Sequence, residues 1–196
     1  MSTTIYYTNN DDQFLTNQQL SFIKEFKKVT NVNNQVKKIE YYENEIINQI
    51  DYYKHSSENL LDIFNSLGSN TVNIITIEND NSYVIMIESY YIESILSNVE
   101  KKLLSDSKVI CVQDYGANNI PKLDTTVKYI YDSLGSKIGE EIFSFRYNAD
   151  GSLKNVSGIG YPFSNDNQTL DADEIPLYFP NLLIDNPYYA NATFLP

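Results

Sequence analysis

The chain has no tryptophan, one cysteine (Cys111), one histidine (His55) and one arginine (Arg146) in 196 residues. Each scarcity closes off some chemistry. A lone cysteine cannot form an intramolecular disulfide or a CxxC redox pair, and one histidine cannot complete a Cys/His zinc site. A Ser-His-Asp triad would have to be built on His55 alone. One guanidinium leaves few ways to clamp phosphates bidentately. The Gly158-Ile159-Gly160 run continues to Pro162 instead of into a helix, so it cannot cradle a dinucleotide phosphate. Excess positive charge is missing too: 14 Lys and Arg stand against 26 Asp and Glu, a net charge of −12, which argues against a broad grip on nucleic acid or anionic lipid. Apolar runs such as Tyr83–Ile87 are far short of the ~20 residues that span a bilayer. The first dozen residues lack a basic start and an apolar signal region, so the expected compartment is a reducing cytoplasm.

What is present describes a folded protein. Hydrophobic residues make up 42% and charged residues 20%, enough apolar material for a core and too little charge for disorder. At ~150 residues per domain the expectation is one domain over 1–196. All six prolines and six of the seven glycines lie at or beyond Gly116, leaving Gly68 alone before it. From Asn155 onward there is no Lys or Arg. These shifts divide the chain into a helix and hairpin part (1–113), a β-meander (114–161) and a Pro-rich acidic C-terminal segment (162–196).

Local patterns predict an α+β fold of antiparallel hairpins and a C-terminal meander packed with about three helices. Thr16 with Gln19 forms a capping box, and Phe22, Ile23, Phe26 and Val29 continue at helical spacing, so a helix is expected over 17–29. Leu60, Leu61, Phe64 and Leu67 before Gly68 predict a second over 57–67. Ile92, Ile95, Leu96, Val99 and Leu103 trace one face of a third over 90–104. Strands are expected at 35–42 and 45–53 around a Glu43-Asn44 turn, at 71–78 and 83–88, at 108–113, and in the meander at 125–131, 140–147 and 152–161. The expected core contains Phe22, Phe26, Leu60, Phe64, Ile74, Ile85, Ile95, Val99, Cys111, Ile130 and Phe143. One internal echo exists: Tyr131-Asp132-Ser133-Leu134-Gly135-Ser136 returns as Tyr147-Asn148-Ala149-Asp150-Gly151-Ser152. It resembles in miniature the YD-type repeats of bacterial wall and toxin-shell proteins, but two copies make no array and are read as two turns of the same chemistry.

No catalytic set emerges. His55 has Asp51 or Glu58 nearby as an orienting carboxylate but no marked nucleophile, and is read as a solvated loop histidine. Cys111 lies in the apolar Val109–Val112 run and is read as core. The acidic stretch Asn165–Glu174 lacks the glycine of a calcium loop, so it is read as solvated, with no metal and no cofactor. The abundant feature is tyrosine: 17 residues, with adjacent pairs at 6/7, 41/42, 52/53, 90/91 and 188/189. On a strand neighbours point to opposite faces, so each pair should bury one ring and present the other. Outward tyrosines on an acidic domain suit an inhibitor of a basic protein partner, in the manner of a bacterial immunity protein and its toxin domain. Tyr42, Tyr53, Asp171, Asp173 and Glu174 are the expected contact residues. The alternative is an enzyme or small-ligand domain with an Asp/Glu/Tyr pocket near the meander.

Overall fold

The computed structural model describes residues 2–80, 82–131, 141–158 and 168–196. Their strands are β1 (Thr3–Thr8), β2 (Glu25–Val32), β3 (Gln35–Glu43), β4 (Ile46–Tyr53), β5 (Thr71–Asp80), β6 (Tyr83–Ile92), β7 (Ile95–Ser105), β8 (Lys108–Tyr115), β9 (Val127–Tyr131), β10 (Glu141–Tyr147), β11 (Leu153–Gly158) and β12 (Gln168–Asp171). Hydrogen-bonded neighbours follow chain order from β1 to β12 in one sheet. The helices are short: α1 (Asn17–Leu20), α2 (Leu60–Ser66), α3 (Ile175–Tyr178) and α4 (Leu182–Asp185), with 3₁₀ turns at Leu123–Thr125 and Pro187–Ala190. The expected α+β packing of three helices is therefore wrong. The protein is a mixed β-sheet with small helical pieces, parallel at the β4–β5 pair, which α2 connects.

Two of the three expected helices are strands for identifiable reasons. The Thr16–Gln19 capping box forms, but it starts a single turn. Beyond it Phe26, Lys28 and Thr30 alternate with Lys27, Val29 and Asn31, and this period-2 reading pairs with β1 on one side and β3 on the other. Over 90–104 the helical spacing is again a coincidence of two strands. Glu93 and Ser94 both take positive φ (50° and 65°) and fold the segment back on itself. The same two-residue geometry closes Asn33-Asn34, Asn44-Glu45 and Asp106-Ser107. Both central residues left-handed is the type I′ turn, whose twist matches that of the strands it joins. The 43–44 turn is thus at 44–45. The helix expected over 57–67 is trimmed to α2, capped by Asn59, whose side chain accepts from the Leu61 and Asp62 N–H groups.

By internal packing the chain divides into two units, residues 1–76 with 87–99, and 77–86 with 100–196. In the first, Ile63 of α2 packs with Val72 and Ile74 of β5, ringed by Tyr52, Leu60, Phe64, Leu67 and Tyr91. In the second, one face of the meander carries Cys111, Lys128, Phe145, Val156 and Leu170 as a single in-register row across β8 to β12. The C-terminal segment covers that face: Ile175 and Ala192 join Phe145, Tyr147 and Val156 in the core, and Phe179, Leu182, Leu183 and Tyr189 pack around them. Of the expected core, Ile74, Val99 and Cys111 are buried, and Phe26, Leu60, Phe64, Ile85, Ile130 and Phe143 are half-buried. Phe22 and Ile95 are 81% and 71% exposed, so their placement in the core is overturned. The first copy of the Tyr131/Tyr147 echo and the strand end at 159–161 lie outside the described residues. Among the described residues no helix is long and apolar enough to cross a membrane.

Candidate functional site

Five of the exposed apolar residues, Phe22 and Ile95 among them, collect at one end of the first unit, while Ile5, Val36 and Leu61 are exposed on it as well. The type I′ turn at Asn44-Glu45 lies against the start of β2, the Asn44 N–H donating to the Lys24 carbonyl at 2.8 Å. The β4–β5 pair is parallel, so the start of β5 is at the same end as the start of β4. The Glu93 N–H donates to the Asn70 carbonyl at 2.7 Å, which brings the Glu93-Ser94 turn to that end as well. Phe14 joins them by bridging Thr8 at the close of β1. This edge therefore presents Phe14, Phe22, Ile46, Ile92 and Ile95, between 48% and 81% exposed. A groove of about 430 Å³ runs beside it, lined by Leu20–Lys24, Phe26, Asn44 and Glu45.

Charge on the first unit is sorted by sign. Lys28 and Lys38 both reach Glu40 at 3.1 Å, Lys27 reaches Asp12 at 2.8 Å, and Lys37 reaches Glu58 at 2.6 Å. These lysines are spent on acids of the first unit itself: Glu40 on β3, Asp12 after β1 and Glu58 before α2. At the turn edge Glu25, Glu43, Glu45 and Glu93 are all exposed, with Lys24 the exposed cation among them. Among the described residues Glu25 and Glu43 accept from the neutral amides of Asn10 and Asn48. The edge combines apolar anchors with exposed carboxylates.

The sequence-predicted contact residues are divided between the two units. Tyr42 stands beside the groove, stacked on Phe26 with ring centroids 4.7 Å apart and planes 8° from parallel. Tyr53 lies at the far end of β4, its carbonyl accepting from Lys37. The two point to opposite faces, because Tyr42 shares the side of Ile47 in the pairing and Tyr53 the side of Ile75. All ten rings of the five tyrosine pairs are half-buried, so no pair presents a fully outward ring. Asp171, Asp173 and Glu174 are exposed in the second unit, where Glu174 Oε2 accepts from the Asp171 N–H at 3.0 Å.

Glu58 meets His55 at its main-chain N–H, 2.7 Å from Oε2. Burial works to raise its carboxyl, but hydrogen bonds from the Lys37 ammonium, the His55 main-chain N–H and the Tyr52 hydroxyl outweigh it and hold the group at about 2. A carboxylate so firmly ionised is a structural tie between β3, β4 and α2, not a proton carrier. Cys111 is fully buried, and burial pushes its thiol up to about 11. Among the described residues no cluster of three or more His, Cys, Asp or Glu is placed to hold a metal ion. The acidic stretch from 165 is described only from Gln168.

Sequence reading passed over Phe22, Ile46 and Ile95 as contact residues, yet a signal was there. Tyr41-Tyr42-Glu43-Asn44-Glu45-Ile46-Ile47-Asn48-Gln49-Ile50 is echoed by Tyr90-Tyr91-Ile92-Glu93-Ser94-Ile95-Leu96-Ser97-Asn98-Val99. Both copies are hairpins whose turn is followed by an exposed isoleucine and, four residues on, a buried Ile50 or Val99. The comparisons place no name on this arrangement. No protein-family model, curated protein or solved structure matches the chain.

Proposed function

We propose that the protein is an acidic binding protein that docks a basic protein partner against the turn edge of its first unit, as a bacterial immunity protein holds its toxin. The observation that carries this reading is the juxtaposition at one edge of exposed Phe14, Phe22, Ile46, Ile92 and Ile95 with exposed Glu25, Glu43, Glu45 and Glu93. Apolar anchors supply the docked contact, and surplus carboxylates steer a cationic partner toward it. Tyr42 acts one layer back, by holding Phe26 at the groove. Asp171, Asp173 and Glu174 form a second acidic cluster for steering, and the compartment that suits such an inhibitor is the cytoplasm.

An affinity pull-down from the native host with mass spectrometry identifies the partner, and binding kinetics then test the reading. Phe22→Ala and Ile46→Ala should speed dissociation, a central anchor costing about 2 kcal/mol or more. Replacing Glu43, Glu45 and Glu93 by glutamine should slow association and leave dissociation nearly unchanged. A partner whose kinetics ignore all these changes would overturn the assignment to this edge.

A further inference from the structure

Lys128 is fully buried on the covered face of the second unit. Its Nζ donates to the carbonyl of Tyr188, and to that of Asn191 at 2.8 Å, and it lies 3.6 Å from the centroid of the Tyr188 ring and 5.4 Å from that of Tyr147. Beside it the Tyr147 hydroxyl donates to the Tyr189 carbonyl at 3.0 Å, and Gln113 Nε2 donates to the Ala192 carbonyl at 3.1 Å. Four main-chain carbonyls between 188 and 192 are thus each met by a side-chain donor standing on the sheet. Among the described residues no carboxylate pairs with Lys128.

The chemistry of this face is that of a peptide reader. Its donors address backbone carbonyls, while the rings of Tyr188 over Lys128 and Tyr189 against Phe145, at 4.7 Å, supply the side-chain contacts. Water can replace every one of those hydrogen bonds when the segment leaves, and departure also restores hydration to a buried ammonium. The apolar contacts given up with 187–194 are those of Ala192 and Tyr189, while Ile175 and Phe179, which belong to α3 and the residue after it, keep theirs. We propose that this face is a peptide-binding cradle, filled in cis by residues 187–194, which also accepts the same segment in trans from a second copy of the chain. The contacts are the same either way, so exchange is governed mainly by concentration.

Cys111 is the chain's single thiol, is fully buried and stands opposite Lys128 in the row, so its modification reads the opening of the cradle. The experiment labels the full chain with a thiol reagent under native conditions. It is run alone, with excess synthetic peptide of residues 187–196, and with the same peptide carrying serine for Tyr188 and Tyr189. Labelling should proceed at a rate nearly independent of low urea, be slowed by the first peptide and be unaffected by the second. Tyr147→Phe, which deletes one carbonyl bond and keeps the ring, should speed labelling about fivefold. Labelling only in step with global unfolding, or a peptide effect that is absent or shared by the serine peptide, would overturn the proposal. The peptide arms use the unaltered protein, so they decide the matter even if the Tyr147 variant fails to fold.

Discussion

Lys128 is the residue at which burial and charge are most opposed. Burial pulls its ammonium down to about 8 from an ordinary 10.5, with only the neighbouring Cys111 acting the other way. Between these values the unfolded chain binds more protons than the native one, so native stability rises with pH through that interval. Cys111 runs opposite: its thiol is pushed up to about 11 from 9.0, so its contribution falls as pH climbs from 9. Burial also raises Tyr147, Tyr188 and Tyr189, which oppose the lysine at higher pH still. Thermal melts should therefore show a gain from about pH 8 to 9, little change from 9 to 10 where lysine and thiol oppose each other, and a loss above 10 as the tyrosines join, and Lys128→Met should remove the gain. Glu58 sets the acid limb. Its folded value of about 2 lies below the ordinary 4.5, so the stability it lends is complete above 4.5 and is lost as pH falls toward 2. Glu58→Gln should cost about 1–3 kcal/mol at pH 7 through the donors it leaves poorly met, and flatten the loss between pH 4.5 and 2 in urea titrations.

Elements were legible where the signal was local and hidden where it depended on turns. The capping box at Thr16, the hairpin at 35–53 and most meander strands could be seen because cap chemistry and β-branched alternation act over a few residues. The 90–104 segment could not, because Ile92, Ile95, Val99 and Leu103 satisfy helical spacing while its hairpin turn is written in Glu93-Ser94 instead of Asn-Gly. Scarcity of glycine before Gly116 hides turns there, because non-glycine residues occupy the left-handed positions of four tight ones. Phe22 and Ile46 were opaque for a different reason: whether an apolar residue faces a core or a partner is not encoded in its own identity. The turn reading makes a stability prediction. Ser107 sits at φ 65°, where a Cβ is disfavoured, so Ser107→Gly should stabilise by about 0.5–1 kcal/mol after the entropy of glycine is deducted. Ser107→Val should destabilise, and chemical denaturation of the two variants checks both signs.

At the scale of the whole molecule the net charge of −12 links stability and association through one cause. Lys27, Lys28, Lys37 and Lys38 of the first unit are committed to Asp12, Glu40 and Glu58 at 2.6–3.1 Å, so much of the repulsion that remains is among exposed acids. The Debye length is about 8 Å at physiological salt, and repulsion among exposed charges weakens as added salt shortens it. Raising sodium chloride from 20 to 300 mM, on the order of a fourfold shortening of that length, should therefore raise the melting temperature by relieving self-repulsion. The same addition should slow association with a basic partner, because screening removes the steering field before the surfaces meet. Dissociation should hardly change, since Phe22 and Ile46 supply an uncharged contact. Neutralising Asp171, Asp173 and Glu174 to their amides should mimic part of the salt effect on both properties. Glu174→Gln keeps an oxygen for the Asp171 N–H, so the local turn survives the change. Salt that lowered stability while also slowing association would separate the two effects and remove surplus carboxylate repulsion as their shared origin.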